Sequence, residues 1–315
     1  REPGGAEVVI CDATPAWHAA TGKLLATGHT ATYLGLHLAP DPRRRAIPYT
    51  VYDPEQRAWS PWRILEMPDT VGKFFSVGAG CTQRVDLANG DILLPIDFLP
   101  CEEAADSWNN CYRSAVARCR FDGVTLSYIE HGDELSCPDP RGFCEPSLTR
   151  FNGRFYLTLR NDIRGYVAAG DDGLRFAPPI PWTFDDGKAL GSYNTQQHWI
   201  THSGGVFLVY TRRGANNDHV IRNRAPLFIA QVDPERLCVV RETERILLPE
   251  KGAQFGNFGT VNASADESWV VDVECMQGDA EDPMDIARTV ARGANNRLYL
   301  CRLQWSKPNQ LIAAR

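Results

Sequence analysis

Apolar and polar positions along this chain alternate in short runs and almost nowhere recur at the three- and four-residue spacing of a helix. The runs are rich in Val, Ile, Leu, Phe, Tyr and Trp, and Gly, Pro, Asn and Asp clusters separate them, which is the pattern of an all-β chain. One unit occurs five times: "AATGKLLATGHT" (19–30), "DLANGDILLPIDF" (86–98), "RFNGRFYLTLR" (150–160), "THSGGVFLVYTRR" (201–213) and "SADESWVVDVE" (264–274). Each is a strand end, a tight polar turn and a second, apolar strand. Between them lies another unit, a strand running into an acidic turn: "YTVYDPEQRAW", "AVARCRFDGVTL", "YVAAGDDGLRF", "LFIAQVDPERL" and, without the acid, "LYLCRLQW". The string "RGANN" also appears twice, at 213–217 and 292–296.

Repeated hairpins with a third strand predict the blades of a β-propeller, because a small sheet buries its faces only by stacking on its neighbours. The expected architecture is one propeller domain over residues 1–315 with five blades of four antiparallel strands. The early run "EVVI" (7–10) is expected to supply the outer strand of the last blade and so close the ring. A six-bladed ring with one degenerate blade and a β-sandwich are the competing readings.

The Asn-Gly turn at 152–153 favours a two-residue hairpin, which fixes the register. Phe151 then faces Arg154, Leu148 faces Leu157, and at the open end Glu145 faces Arg160. The same count sets Asp97 across from Thr82, His29 at the end of the first hairpin, Arg212 and Arg213 beside Gln196 and Gln197, and Glu274 at the end of the fifth. All five second strands therefore finish in a polar or ionisable group, at the ends that converge on a propeller's central channel. Candidate catalytic residues are Glu145, Asp97, Glu274, His29 and His198. Each also has a plainer reading as an ion pair, a satisfied histidine or a solvated strand end.

Composition narrows the partner. A net charge of −6 on 315 residues excludes nucleic acid and anionic membrane as the main targets, since phosphate binding needs clustered excess Lys and Arg. No apolar run approaches the roughly 20 residues of a membrane span. The chain does not begin with Met, which leaves a removed leader and the compartment open. Against the overall negative charge, the stretch 211–224 holds four arginines, three asparagines and a histidine. Arginine captures carboxylate or sulfate through two parallel hydrogen bonds, so this excess points to an anionic group on the substrate. Arg160, Arg212, Arg213, Arg222 and Arg224 are the candidate substrate-binding cations, with Gln83, Gln197, His219 and Asn257 as polar contacts. Of the ten cysteines, the pairs Cys101/Cys111 and Cys137/Cys144 are close enough in sequence to be disulfide candidates. The histidines and cysteines form no recognised metal-ligand spacing, and no cofactor is expected.

With these residues in view, "CEPSLTRFNGRFYLTLR" (144–160) resembles the strand pair of the sialidase-like propeller superfamily that carries an active-site Glu and one arginine of a carboxylate-binding triad. Glu145 and Arg160 match them here. "AAGDDGLRFAPPIPW" (168–182) resembles the Asp-box turn of those blades. The resemblance implies a glycan-active propeller, with Arg213 or Arg224 supplying a further triad arginine. Two departures stand beside it. "FGNFGTVNAS" offers Phe258 where sialidases carry a tyrosine nucleophile, and "RAIPY" (45–49) is only a distorted echo of their Arg-Ile-Pro motif.

The leading expectation is a glycoside hydrolase acting on an acidic or uronate-containing glycan. Such chemistry needs two carboxyl groups, about 5 Å apart for retention or about 6.5–9.5 Å for inversion. The alternatives are a polysaccharide lyase, with His29 or His198 as base and an arginine neutralising a uronate, and a non-catalytic glycan-binding propeller. A monomer or small homo-oligomer fits any of the three.

Overall fold

A computed structural model describes residues 5–35, 37–68, 71–106, 111–277 and 285–312. The chain is all-β: five small antiparallel sheets follow one another as the blades of a five-bladed propeller. By contact the chain divides into two units, Arg1–Leu148 with Ala169–Pro178, and Thr149–Ala168 with Pro179–Arg315.

In the first unit, the first sheet orders Glu7–His18, Lys23–Leu34, Pro48–Asp53 and Ala58–Trp59. The second runs Ser76–Gly78, Asp91–Leu99, Arg113–Phe121 and Leu126–His131. Leu25, Ile47, Tyr49 and Val51 of the first sheet and Ile92, Leu94, Ile96 and Phe98 of the second form one buried apolar cluster. Arg84 ties this core to the backbone, donating to Leu25 O at 2.8 Å and Ala16 O at 3.0 Å. The third sheet orders Cys144–Phe151, Arg154–Arg160, Tyr166–Gly170 and Ile180–Pro181. In the second unit, the fourth sheet orders His198–His202, Gly205–Tyr210, Leu227–Asp233 and Cys238–Val239, and the fifth Gly259–Asn262, Glu267–Val273 and Leu298–Gln304. Ile200, Val209, Leu227 and Val270 centre that unit's core.

The five predicted hairpins are the ones observed. The acidic turns after the third strands repeat in atomic detail: Asp53, Asp122, Asp172 and Asp233 each accept the backbone N–H groups two and three residues on, at 2.7–3.4 Å. This is the Asx turn, in which a carboxylate stands in for a backbone carbonyl. It explains why an aspartate recurs at a place remote from any shared site.

The ring closure expected of residues 7–10 is not what forms. Glu7 pairs with Tyr33 and Ile10 with Thr30, so this run opens the first sheet. The strand runs on through His18 into the Thr21-Gly22 turn, and the hairpin partner is therefore the adjacent strand. Among the described residues the fifth sheet has three strands. Neither candidate pair forms a disulfide: Cys111 Sγ instead donates to Asp139 O at 3.5 Å, and Cys144 Sγ to Arg141 O at 3.7 Å.

Candidate active site

A cavity of about 200 Å³ lies within the first unit. Three carboxylates line it, Asp12, Asp97 and Glu145, together with the arginines Arg43, Arg44, Arg45 and Arg141. His29, Tyr112 and Cys144 complete its chemistry.

Asp12 reaches the cavity through a β-bulge. Cys11 pairs with His29 and Thr14 with Thr27, so Asp12 and Ala13 together oppose the single residue Gly28. A bulge of this kind re-aims a side chain out of the strand's alternation. The backbone pays in conformation, for Asp12 sits at φ 54°. Gly28 is what admits it, because a Cβ there would lie 2.7 Å from Cys11 O.

His29 stands across from the bulge, its Nδ1 3.7 Å from Asp12 Oδ2, beyond hydrogen-bond reach. Burial lowers its pKa to about 3, and Arg45 and Arg141 push the same way. The imidazole is therefore neutral at ordinary pH. Two glycines of the "GAG" segment hold it in place: a Cβ on Gly80 would meet His29 Nδ1 at 2.5 Å, and one on Gly78 would meet Arg45 Nη2 at 2.0 Å.

Arg45 precedes the strand Pro48–Asp53 and bridges to Ser76. Its Nη1 donates to Asp97 Oδ2 at 3.0 Å, and its guanidinium carbon lies 5.5 Å from the ring centre of Tyr112. Burial opposes the charge, but Asp97 and the hydrogen-bonded Tyr112 outweigh it and raise the pKa. Asp97 pairs with Gly78 and Ser114. The expected partner Thr82 is displaced because the chain leaves the sheet between Gly78 and Val85, so the constant count from the turn breaks down there.

Glu145 and Arg141 complete the wall from 141–145. Glu145 has φ 44° and Arg141 φ 68°, both left-handed. Gly142 lets this segment press on Tyr112, where an added Cβ would lie 2.1 Å from Tyr112 O. Residues outside the small set that tolerate this conformation store strain, and such strain clusters at functional sites.

Of the sequence candidates, Glu145, Asp97 and His29 meet in this cavity. Others gather in the second unit around Tyr193 and Asn194. Arg160, buried, donates to Asn194 Oδ1 at 2.8 Å and Asp162 Oδ1 at 3.2 Å. Arg224 Nε donates to Asn194 O at 3.0 Å, and Arg213 lies over the Tyr193 ring at 3.5 Å. Arg222 occupies the same loop at φ 58°. Arg212 forks onto Glu244 at 2.8 and 2.7 Å, while Tyr210 Oη donates to the same carboxylate at 2.6 Å. Asn217, also buried, organises the loop by donating to Arg212 O, Asn223 O and Ala225 O.

Glu274 accepts from Asn295 N, Arg297 N and Tyr299 Oη at 2.7–3.0 Å. Burial works against its charge, yet these donors hold its pKa low. His198 is buried against the edge of Phe258 and its pKa falls to about 3 through burial. Gln197 accepts from Thr158 Oγ1 at 2.5 Å, His219 pairs with Glu250 at 3.1 Å, and Asn257 is exposed. In the first unit, Gln83 meets Ser147 and Leu148 through its backbone, at 3.2 and 2.9 Å. Among the described residues no group of three His, Cys, Asp or Glu side chains is placed to hold a metal ion, and no helix is long and apolar enough to cross a membrane.

Asp12, Arg45, Tyr112 and Arg141 escaped the sequence reading. Only Arg45 had left a signal, the echo of the Arg-Ile-Pro motif in "RRRAIPY".

No protein-family model matches the sequence, and no curated protein matches it either. Solved structures do. Trypanosoma rangeli sialidase in complex with sialic acid is similar at 12% identity and a TM-score of 0.56, over 94% of this chain and 44% of that one. Sucrose-6-phosphate hydrolase from Lactobacillus gasseri is similar at 13% identity and a TM-score of 0.58, over 94% and 59%. A NanB sialidase from Streptococcus pneumoniae is similar at 10% identity and a TM-score of 0.58, over 95% and 56%. This chain thus spans about half the length of the structures it resembles and shares with these glycoside hydrolases the propeller fold.

Proposed function

We propose that the protein is a glycoside hydrolase acting on a glycan that carries an anionic group, with its chemistry in the first unit's cavity. The observation that supports this reading is the cavity's lining, three carboxylates among four arginines. Asp12 and Glu145, which line the cavity with Asp97, are the pair from which proton donor and base or nucleophile are drawn in this reading. Both carboxylates stand on left-handed backbone, which fixes where they point. Arg44 and Arg141 are suited to take the anionic group through paired N–H donors. Neutral His29 is a hydrogen-bond partner for a sugar hydroxyl. The named ligand of the trypanosomal neighbour, sialic acid, and the sugar phosphate in the lactobacillal neighbour's name are both anionic sugars, in keeping with this choice of substrate.

The test is a screen of acidic oligosaccharides and simple acidic glycosides against the wild type, Asp12→Asn and Glu145→Gln. Loss of a general acid or base lowers turnover by roughly 100-fold to 10,000-fold, and both variants are expected to show it while folding normally. Undiminished turnover in either one removes that carboxylate from the mechanism. A neutral imidazole within the influence of Arg45 and Arg141 also suits proton abstraction beside a uronate carboxylate. An unsaturated product, read by its ultraviolet absorbance, would favour that lyase reading.

A further inference from the structure

A second cavity, of about 380 Å³, shares Thr30, Thr32 and Arg43–Arg45 with the first. Its remaining wall is apolar: Val8, Ala39, Pro40, Pro42, Ile64 and Phe75 supply most of it. The polar groups along the shared wall are mostly spent within the protein. Thr30 Oγ1 accepts from Ala46 N at 2.9 Å, Arg43 is ion-paired with Asp41 at 2.9 Å and reaches Ala39 O at 3.4 Å, and Arg45 donates to Asp97. A sugar ring needs a partner for nearly every hydroxyl, and this wall offers few. We infer that the second cavity receives the leaving-group side of the substrate and that this side is an apolar aglycone, an alkyl or aryl chain. The inference rests on the hydrolase reading above. In it the first cavity holds the anionic sugar, and the exposed Arg44 stands where sugar and aglycone meet.

The probes are methyl and n-octyl glycosides of glucuronic, galacturonic and N-acetylneuraminic acids, whose alcohol leaving groups differ in apolar length far more than in acidity. Turnover and calorimetric binding are measured on the wild type and on Ile64→Asp, a substitution at a half-exposed position, with circular dichroism confirming that the variant is folded. The octyl glycoside is expected to exceed its methyl counterpart by at least about tenfold in kcat/KM and in affinity, the gain of burying roughly two methylene groups. Ile64→Asp is expected to bring that ratio close to one. Turnover with an octyl-to-methyl ratio near one in the wild type overturns the aglycone site and leaves the hydrolase reading standing. An octyl preference in binding that Ile64→Asp erases, without turnover of any glycoside, supports the apolar site and overturns the hydrolase reading. Binding of none of the six probes overturns both.

Discussion

Arg45 and Asp97 are joined by a 3.0 Å hydrogen bond in which the carboxylate is almost wholly buried and the guanidinium forms part of the cavity wall. The pair links the segment before the third strand of one sheet to the centre of the next. Asp97→Asn keeps the shape and removes the charge, leaving Arg45 without its counter-ion. Chemical denaturation is expected to register a loss of about 2–3 kcal/mol, the worth of a charged hydrogen bond left half-made. Turnover is expected to fall with it, because Arg45 would no longer be held at the cavity.

Acid sensitivity follows from two histidines whose charge the fold disfavours, His29 and His198. His29 and His198 have pKa values near 3, against 6.5 for a free imidazole, because burial disfavours their charge. Between pH 6.5 and 3 the unfolded chain binds protons that the folded chain does not, so stability falls as pH drops through that window and is level above it. Each histidine contributes up to one proton to the slope. Asp272 acts in the opposite sense. Burial raises its pKa to about 6, so its contribution is fully present below pH 3.8 and is lost as pH rises through 6. His198→Gln is expected to flatten the stability profile between pH 3 and 6.5 by about one proton, a slope of ~1.4 kcal/mol per pH unit, measured by denaturation at a series of pH values.

Gly80→Ala probes how tightly the site is packed. The added methyl would meet His29 Nδ1 at 2.5 Å and Asp12 Cβ at 2.9 Å, and neither is the end of a flexible chain. A cost of about 1–3 kcal/mol is expected from overpacking. Displacement of Asp12 should lower kcat more than it raises KM, which steady-state kinetics on an active substrate would show.

Arg212 tests the other arginine cluster. Its fork onto Glu244, with Tyr210 on the same carboxylate, leaves both side chains only 15–16% exposed. Arg212→Ala strands Glu244 and is expected to cost about 2–3 kcal/mol in thermal or chemical unfolding. Arg212→Lys should recover only part of that loss, since an ammonium cannot make two parallel bonds.

The hairpins were legible because their signal is local: a turn residue and the alternation beside it fix five second strands without reference to the rest of the chain. Glu145, Asp97 and His29 could be placed by counting along those strands. Counting failed wherever the strand is irregular. Asp12 is invisible to it because a bulge breaks the alternation at that residue, and Thr82 was paired with Asp97 on a register that lapses after Gly78. Tyr112 and Arg141 belong to segments outside the hairpins, and their place depends on a glycine contact between chain segments that no periodicity encodes. The arginines of 211–224 were conspicuous in composition, yet Arg212 is turned to a carboxylate 32 residues on. A cluster in sequence says which charges are present and not where their partners lie.

If Asp12 and Glu145 act as proposed, their left-handed backbone sets endurance against activity. Glu145 held there costs on the order of 1 kcal/mol or more, and Asp12, whose short side chain visits this region more readily, costs less; the surrounding fold must absorb both. A library selected only for survival at high temperature would enrich glycine or asparagine at both positions. On the proposed hydrolase reading the survivors would be hardier and would have lost turnover together with the two carboxylates.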